Sequence, residues 1–95
     1  MKAGFAYIMA SRQNRTIYTG STSNLVQRAY QHRKGLGEGF MKEHGCKILV
    51  WFEAFDDLAE ARLRERQVKK WERQWKLRLI EEVNPEWNDL FESLI

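Results

Sequence analysis

The stretch from Tyr18 to Lys34 constrains the fold more than any other, because it commits to a strand, a turn and a helix in quick succession. Tyr18-Thr19-Gly20 reads as strand and Ser21-Thr22-Ser23 as a small polar turn. Asn24 then suits the N-cap of a helix over residues 24–34, with Gln27 placed to complete a capping box. The inward stripe of that helix is Leu25, Arg28, Ala29 and His32, at i, i+3, i+4 and i+7. Leu25 and Ala29 suit a core, whereas a buried guanidinium without a partner is costly. Taken alone, the helix is read most simply with Arg28 reaching its head to solvent and His32 hydrogen-bonded in the core. The other reading opens the stripe onto a polar gap of ligand size, and the remainder of the chain favours it.

Residues 5–10 alternate as a strand does, with Phe5, Tyr7 and Met9 on one face and Ala6, Ile8 and Ala10 on the other. Residues 11–14 are turn-like, and a second strand runs from Arg15 to Gly20. A loop of that length sets Tyr7 opposite Tyr18 in an antiparallel pair, two phenols side by side on one sheet face. Glycines 35, 37, 39 and 45 predict a mobile loop carrying Lys42. Ile48 to Phe52 is apolar on both faces and continues to Phe55, as expected of a strand covered on two sides.

Asp56 or Asp57 caps the next helix, whose expected inner stripe is Leu58, Ala61, Glu65, Val68, Glu72, Trp75 and Leu79. A break near Arg73-Gln74 divides it into helices near 57–72 and 75–83, the alternative being one continuous helix. Glu65 points where an apolar side chain belongs, so it needs a cation, a metal or water; the simplest partner is Lys69 at i+4. Asn84-Pro85 reads as cap and first residue of a last short helix. Trp87, Leu90, Phe91 and Leu94 anchor that tail. The sum is an α+β chain, one domain over 1–95: a small three-stranded antiparallel sheet flanked by helices.

Composition narrows the function classes. Ninety-five residues hold one modest core, which four tryptophans and five phenylalanines can fill. No apolar run nears the ~20 residues that span a bilayer. The lone Cys46 excludes an internal disulfide and fits a reducing cytoplasm, and no zinc-like spacing surrounds it. A net charge of +3 permits nucleic-acid binding without requiring it. The cations between Arg62 and Arg78 are diluted by glutamates, as on a solvated helix face.

Tyr7, Tyr18, Arg28, His32 and Glu65 together resemble the catalytic set of the GIY-YIG nuclease domain, and the likeness covers nearly the whole chain. Its two strand motifs are matched by Ala6-Tyr7-Ile8 and Tyr18-Thr19-Gly20, its Arg and His four apart by Arg28 and His32. Glu65-Arg66-Gln67-Val68-Lys69 resembles its metal-binding helix. Gly39-Phe40 and Asn84-Pro85-Glu86-Trp87-Asn88-Asp89-Leu90 are similar to segments of the small stand-alone bacterial members, relatives of the nuclease domain found in the bacterial repair excinuclease. Two positions depart from the family's pattern: Ala6 stands before the first tyrosine, and Thr19 replaces isoleucine. Neither change removes a polar group.

The resemblance implies an endonuclease that cleaves DNA, RNA not excluded, in repair or recombination and by structure. It would act as a monomer or weak homodimer in a bacterial cytoplasm. The alternative is a non-catalytic nucleic-acid-binding module that keeps the phosphate clamp. The likeness implies Mg²⁺ (or Mn²⁺) on Glu65, Arg28 forked onto phosphate, and Tyr7 as base with Tyr18 and His32 assisting. Chemically, a phenol of pKa ~10 is a base at neutral pH only where cations favour phenolate, and an imidazole of pKa ~6.5 is the easier one. Tyr7 and His32 both stand. Lys42, Lys69 and either Asn84 or Asn88 are the expected substrate contacts.

Overall fold

A computed structural model describes residues 3–12, 16–34 and 45–95. Three strands, β1 (Gly4–Ala10), β2 (Ile17–Thr22) and β3 (Ile48–Phe55), form an antiparallel sheet in the order β2-β1-β3. The central place of β1 explains its composition: Ala6 through Ala10 are fully buried on both faces. Tyr7 and Met9 pack with Leu25 and Ala29 of α1 (Leu25–Arg33) and with Phe91. Ala6, Ile8 and Ala10 pack on the other face with Val68 of α2 (Leu58–Lys69), Ile80 of α3 (Arg73–Val83) and Trp87. Helices therefore cover both faces of the sheet, in the α+β arrangement expected. Among the described residues no helix is long and apolar enough to cross a membrane.

The alternation read from residues 5–10 holds, but the register with β2 differs from expectation. Tyr7 opposes Gly20, and Tyr18 opposes Met9. The connection is longer than the four residues allotted to it: Ser11 N–H donates to the Thr16 carbonyl at 2.9 Å, and the strand resumes at Ile17. The slip is two residues, so every side chain keeps its face. Between β1 and β3 the register also shifts, with Ile8 opposite Trp51 and Met9 opposite Leu49. Val50 is the extra residue, and the bulge turns both Val50 and Trp51 toward α2 and α3.

Helix starts follow their local chemistry. Asn24 accepts from Gln27 N–H at 3.1 Å; its own N–H is met by Thr22 Oγ1 at 3.1 Å, so Thr22 fills the role expected of the Gln27 side chain. Asp57 caps α2 through Ala59 N–H at 2.8 Å. Gly4 lets that helix close on β1, for a Cβ there would lie 2.6 Å from Leu58 Cα. The break after α2 falls at residues 70–72, earlier than expected, where the Lys70 and Trp71 N–H groups tighten back onto Gln67 and Val68. The inner stripe consequently ends at Val68. Glu72 is exposed, Trp75 is 49% exposed, and Ile80 takes the buried place on α3.

The tail also differs from its local signal. Asn84 ends α3 instead of capping a helix at Pro85, and the last helix is a 3₁₀ turn, Leu90–Leu94, capped by Asp89. Tertiary hydrogen bonds decide this. Asn84 Nδ2 donates to the carbonyls of Val50 (3.0 Å) and Asn88 (2.9 Å), while Oδ1 accepts from Asn88 N–H (3.0 Å). The tight turn puts Trp87 at φ 56, held by its N–H on the Asn84 carbonyl and its indole on Glu81 at 2.8 Å. Asp89 then binds Leu49 N–H and Arg33, tying the tail to β3 and α1. Burial would raise the Asp89 carboxyl, but Arg33 and the N–H groups of Phe91 and Leu49 outweigh it and hold it below the usual range. The apolar anchors expected of the tail are in place: Trp87 and Phe91 are buried, and Leu90 and Leu94 pack beside them.

Replacing Asn84 by alanine strands a buried carbonyl, so Asn84→Ala is expected to cost about 2–3 kcal/mol in urea unfolding. Asn88→Ala should stay within about 0.5 kcal/mol, because Asn88 gives only backbone atoms to these bonds.

Candidate active site

The site is built around a tyrosine laid across a glycine. Tyr7 is fully buried at the middle of β1, and Gly20 faces it from β2. A Cβ on Gly20 would lie 2.5 Å from the Tyr7 hydroxyl oxygen and 2.6 Å from Cζ, so no other residue leaves room for this phenol. Tyr18 stands on the same sheet face as Tyr7's diagonal neighbour, with its Cε1 3.1 Å from that same point. The two phenols are thus close, though offset by two residues from direct opposition.

Helix α1 lays its polar stripe over them. His32 is 2% exposed, and its Nε2 lies 3.4 Å from the Tyr7 hydroxyl. Its ring centre is 5.8 Å from both tyrosine rings, edge-on to Tyr7 and tilted to Tyr18. The half-buried Arg28 hydrogen-bonds Tyr7 and sets its charge against both Tyr7 and His32. Arg28 therefore does not simply run out to solvent but turns toward Tyr7 and His32.

Burial dominates the titration of this group. It pushes Tyr7 up to about 12, although the Arg28 charge and hydrogen bond pull the other way; Tyr18 and Glu65 add to the rise. Burial also pushes His32 down to about 4, reinforced by Arg28 and opposed by the Cys46 backbone. Nδ1 has no partner of full hydrogen-bond geometry. At neutral pH the pair is accordingly an un-ionised phenol and a neutral imidazole, and the phenol can donate to Nε2. Arg28 alone does not hold Tyr7 as phenolate.

Glu65 reaches the group from the other side. Helix α2 packs on the face of Ala6 and Ile8, opposite to Tyr7, but β2 is an edge strand and the carboxylate meets its rim. Ser21, paired with Ala6, donates a short hydrogen bond to Glu65 Oε1. Lys69 Nζ sits 2.5 Å from Oε2, the i+4 ion pair expected. The same ammonium lies 5.9 Å from the centre of the Tyr18 ring, which bridges the two faces around the strand edge. Glu65 is near enough for its charge to act on Tyr7, as the smallest of the influences on it.

The structure thus gathers Tyr7, Tyr18, Arg28, His32, Glu65 and Lys69. It does not bring Asn84 or Asn88 to them; the Asn84 side chain is spent on Val50 and Asn88. Lys42 and the glycine loop around it lie outside the described residues, apart from Gly45. Ser21 was not legible as a site residue. Its signal is strand parity: in the observed register Thr19 and Ser21 face α2, whereas Tyr18 and Gly20 face α1. That parity also explains why threonine suits position 19, buried on the helix side and away from the phenols.

Gly20→Ala is expected to destabilise the protein by about 1–3 kcal/mol through overpacking on Tyr7, read as a lowered Tm. His32 gives a pH signature. The unfolded imidazole binds its proton near 6.5 and the folded one near 4, so the unfolded state holds more protons between them. Stability should fall as pH drops through that window, by on the order of 3 kcal/mol, and His32→Gln should flatten the slope in unfolding titrations.

Comparison with known proteins identifies the family. The family model of the GIY-YIG catalytic domain matches residues 3–78. A UPF0213 protein of Staphylococcus haemolyticus is 37% identical over 82 residues, covering 86% of this chain and 99% of the relative. One from Clostridium perfringens is 38% identical over 76 residues, covering 80% and 81%. The solution structure of the UPF0213 protein BH0048 from Bacillus halodurans superposes with a TM-score of 0.58 at 26% identity, over 92% of each chain. With the model spanning most of its length and relatives matched nearly end to end, this chain belongs to the GIY-YIG family.

Proposed function

We propose that this chain is a metal-dependent endonuclease that hydrolyses DNA phosphodiester bonds, selecting substrates by structure, as in repair or recombination. The observation that carries the reading is the buried Tyr7 hydroxyl held between His32 Nε2 and Arg28, with Glu65 within electrostatic reach. Such a group can take a proton from water beside a cation that binds phosphate. The small domain offers little surface for reading bases, which favours recognition by shape.

The donor set fits one kind of metal. Glu65 is the carboxylate of the group, and the described residues hold no cluster of three His, Cys, Asp or Glu. Mg²⁺ or Mn²⁺ on one carboxylate, completed by water and phosphate, matches that set. When bound there it supplies Lewis-acid stabilisation of the phosphate and of the leaving 3′ oxygen. Ser21 orients the carboxylate, and Lys69 neutralises it at rest. Lys69 is half-exposed and a partly exposed ion pair is weak, so it is easily given up to a phosphate.

The remaining roles fall to the α1 face. Arg28 forks onto the phosphate, and the negative charge it receives relieves its repulsion of a protonated His32. Tyr7 oxygen accepts a proton from the attacking water while its own proton passes to His32 Nε2. The hydroxide adds to phosphorus, the P–O3′ bond breaks, and solvent protonates the leaving oxygen. Tyr18 packs against His32 and holds the ring toward Tyr7. The 3.4 Å separation is that of a contact which tightens when substrate binds. A second reading, a phosphate clamp without catalysis, is favoured by Lys69 already neutralising Glu65.

Plasmid nicking in Mg²⁺ or Mn²⁺ tests the proposal. Wild type should nick, and Glu65→Ala and Arg28→Ala should each lose about 100-fold or more with circular dichroism unchanged. Equal nicking by all three would put the activity elsewhere. Binding that persists in chelator with no nicking by wild type would favour the clamp.

A further inference from the structure

On the outer side of Glu65, Ser21, Arg62, Glu65 and Arg66 line an open hollow of about 390 Å³ at the rim of β2. We infer that Arg62 and Arg66 form a second phosphate subsite there, holding the nucleic-acid backbone next to the phosphate that is cut. The inference rests on the endonuclease reading for the polarity of the neighbouring site, but not for the chemistry of the subsite itself.

Three observations carry it. First, Arg62 and Arg66 are four apart on α2 and so stand one turn above the other, a like-charge pairing that disfavours the helix. Second, among the described residues neither has an ion-pair or hydrogen-bond partner to offset that cost. The nearest acid does not serve: both oxygens of Glu65 are engaged, by Ser21 and by Lys69. Third, other arginines of the same helical region are used differently. Arg64 binds Glu53 at 3.0 Å and lies over Trp71, and Arg78 lies over Trp75. The two guanidinium groups in the hollow are thus left for an anion, and their planar forks match phosphate oxygens. Because the hollow shares Ser21 and Glu65 with the candidate active site, a strand entering at Glu65 passes these two cations before leaving the domain.

Counterion release separates this from a general effect of charge. Binding of a fluorescein-labelled single-stranded oligonucleotide is measured by anisotropy across a salt series, with Ca²⁺ in place of Mg²⁺. The Arg62→Ala/Arg66→Ala protein should lower the slope of log K against log salt by about 1.4, about 0.7 per lost phosphate contact. Lys76→Ala/Arg78→Ala removes the same charge from α3 and should leave the slope nearly unchanged. Arg62→Lys/Arg66→Lys should keep the slope while weakening affinity. A slope in the first variant equal to that of the α3 control overturns the subsite, as does absence of binding by wild type. The endonuclease reading fails separately: a reduced slope beside a wild type that never nicks keeps the subsite and removes the nuclease. The single variants, checked by circular dichroism, serve should the double one unfold.

Discussion

The absence of a side chain at Gly20 is the constraint on which the site depends. Tyr7 can lie across β2 only because nothing projects from the residue that opposes it, and a single methyl would meet the phenol at 2.5 Å. From that position the hydroxyl reaches His32 and Arg28 on the helix above. The helix in turn is placed by Asn24 and Thr22, which close its first turn directly off the end of β2. Strand, glycine, cap and helix follow within a short run of sequence, so positioning of the Tyr7–Arg28–His32 group is largely a local matter. The tail completes it from a distance: Asp89 pins Arg33, and Phe91 packs beneath that guanidinium at 4.4 Å.

Much of this was legible because the signals were periodic. Alternation in residues 5–10 fixed two faces correctly, and it stayed correct under a register error because the slip was even. The arginine and histidine stand out in the α1 stripe, since neither belongs in a small core, and both turn to Tyr7. What could not be read was governed by distant partners. The loop between β1 and β2 closes through Ser11 and Thr16, and loop length sets register. Asn84-Pro85 carries a helix-start signal, yet the Val50 carbonyl next to a β-bulge claims the asparagine. The bulge has no local signature in an apolar run such as Ile48 to Phe52. Trp75 matches the stripe of α2 only if the helical phase carries across the expected break, and the turn at 70–72 resets that phase before the chain reaches it.

Placement of Glu65 shows how two sides of a sheet can serve one site. In the sheet interior, a residue on α2 would be separated from Tyr7 by the strands themselves. At an edge strand the separation is a single chain, and Lys69 spans it from Glu65 to Tyr18. The arrangement keeps the carboxylate partly solvated, accepting from the Ser21 hydroxyl and facing the Lys69 ammonium, while the phenol–imidazole pair stays dry. Two environments of opposite character thereby meet within a few residues. The wet one suits a cation that retains much of its water, and the dry one suits a proton shared between neutral groups.

That division bears on which residue acts as base. Arg28 favours phenolate, but burial wins, and the phenol keeps its proton with a pKa pushed up to about 12. His32 is no better alone, because burial and Arg28 together disfavour its cation. Each is a weak base for a related reason, the loss of water around a charge. Coupled as proposed, they would avoid the worst of it: Tyr7 would pass one proton on as it took another and never carry a full negative charge. On the proposed reading, a cation on His32 would form only when a phosphate already faced Arg28 and offset part of its repulsion. In the proposed hydrolysis, proton transfer would thus be tied to substrate, because the neutral pair charges only when a phosphodiester faces Arg28.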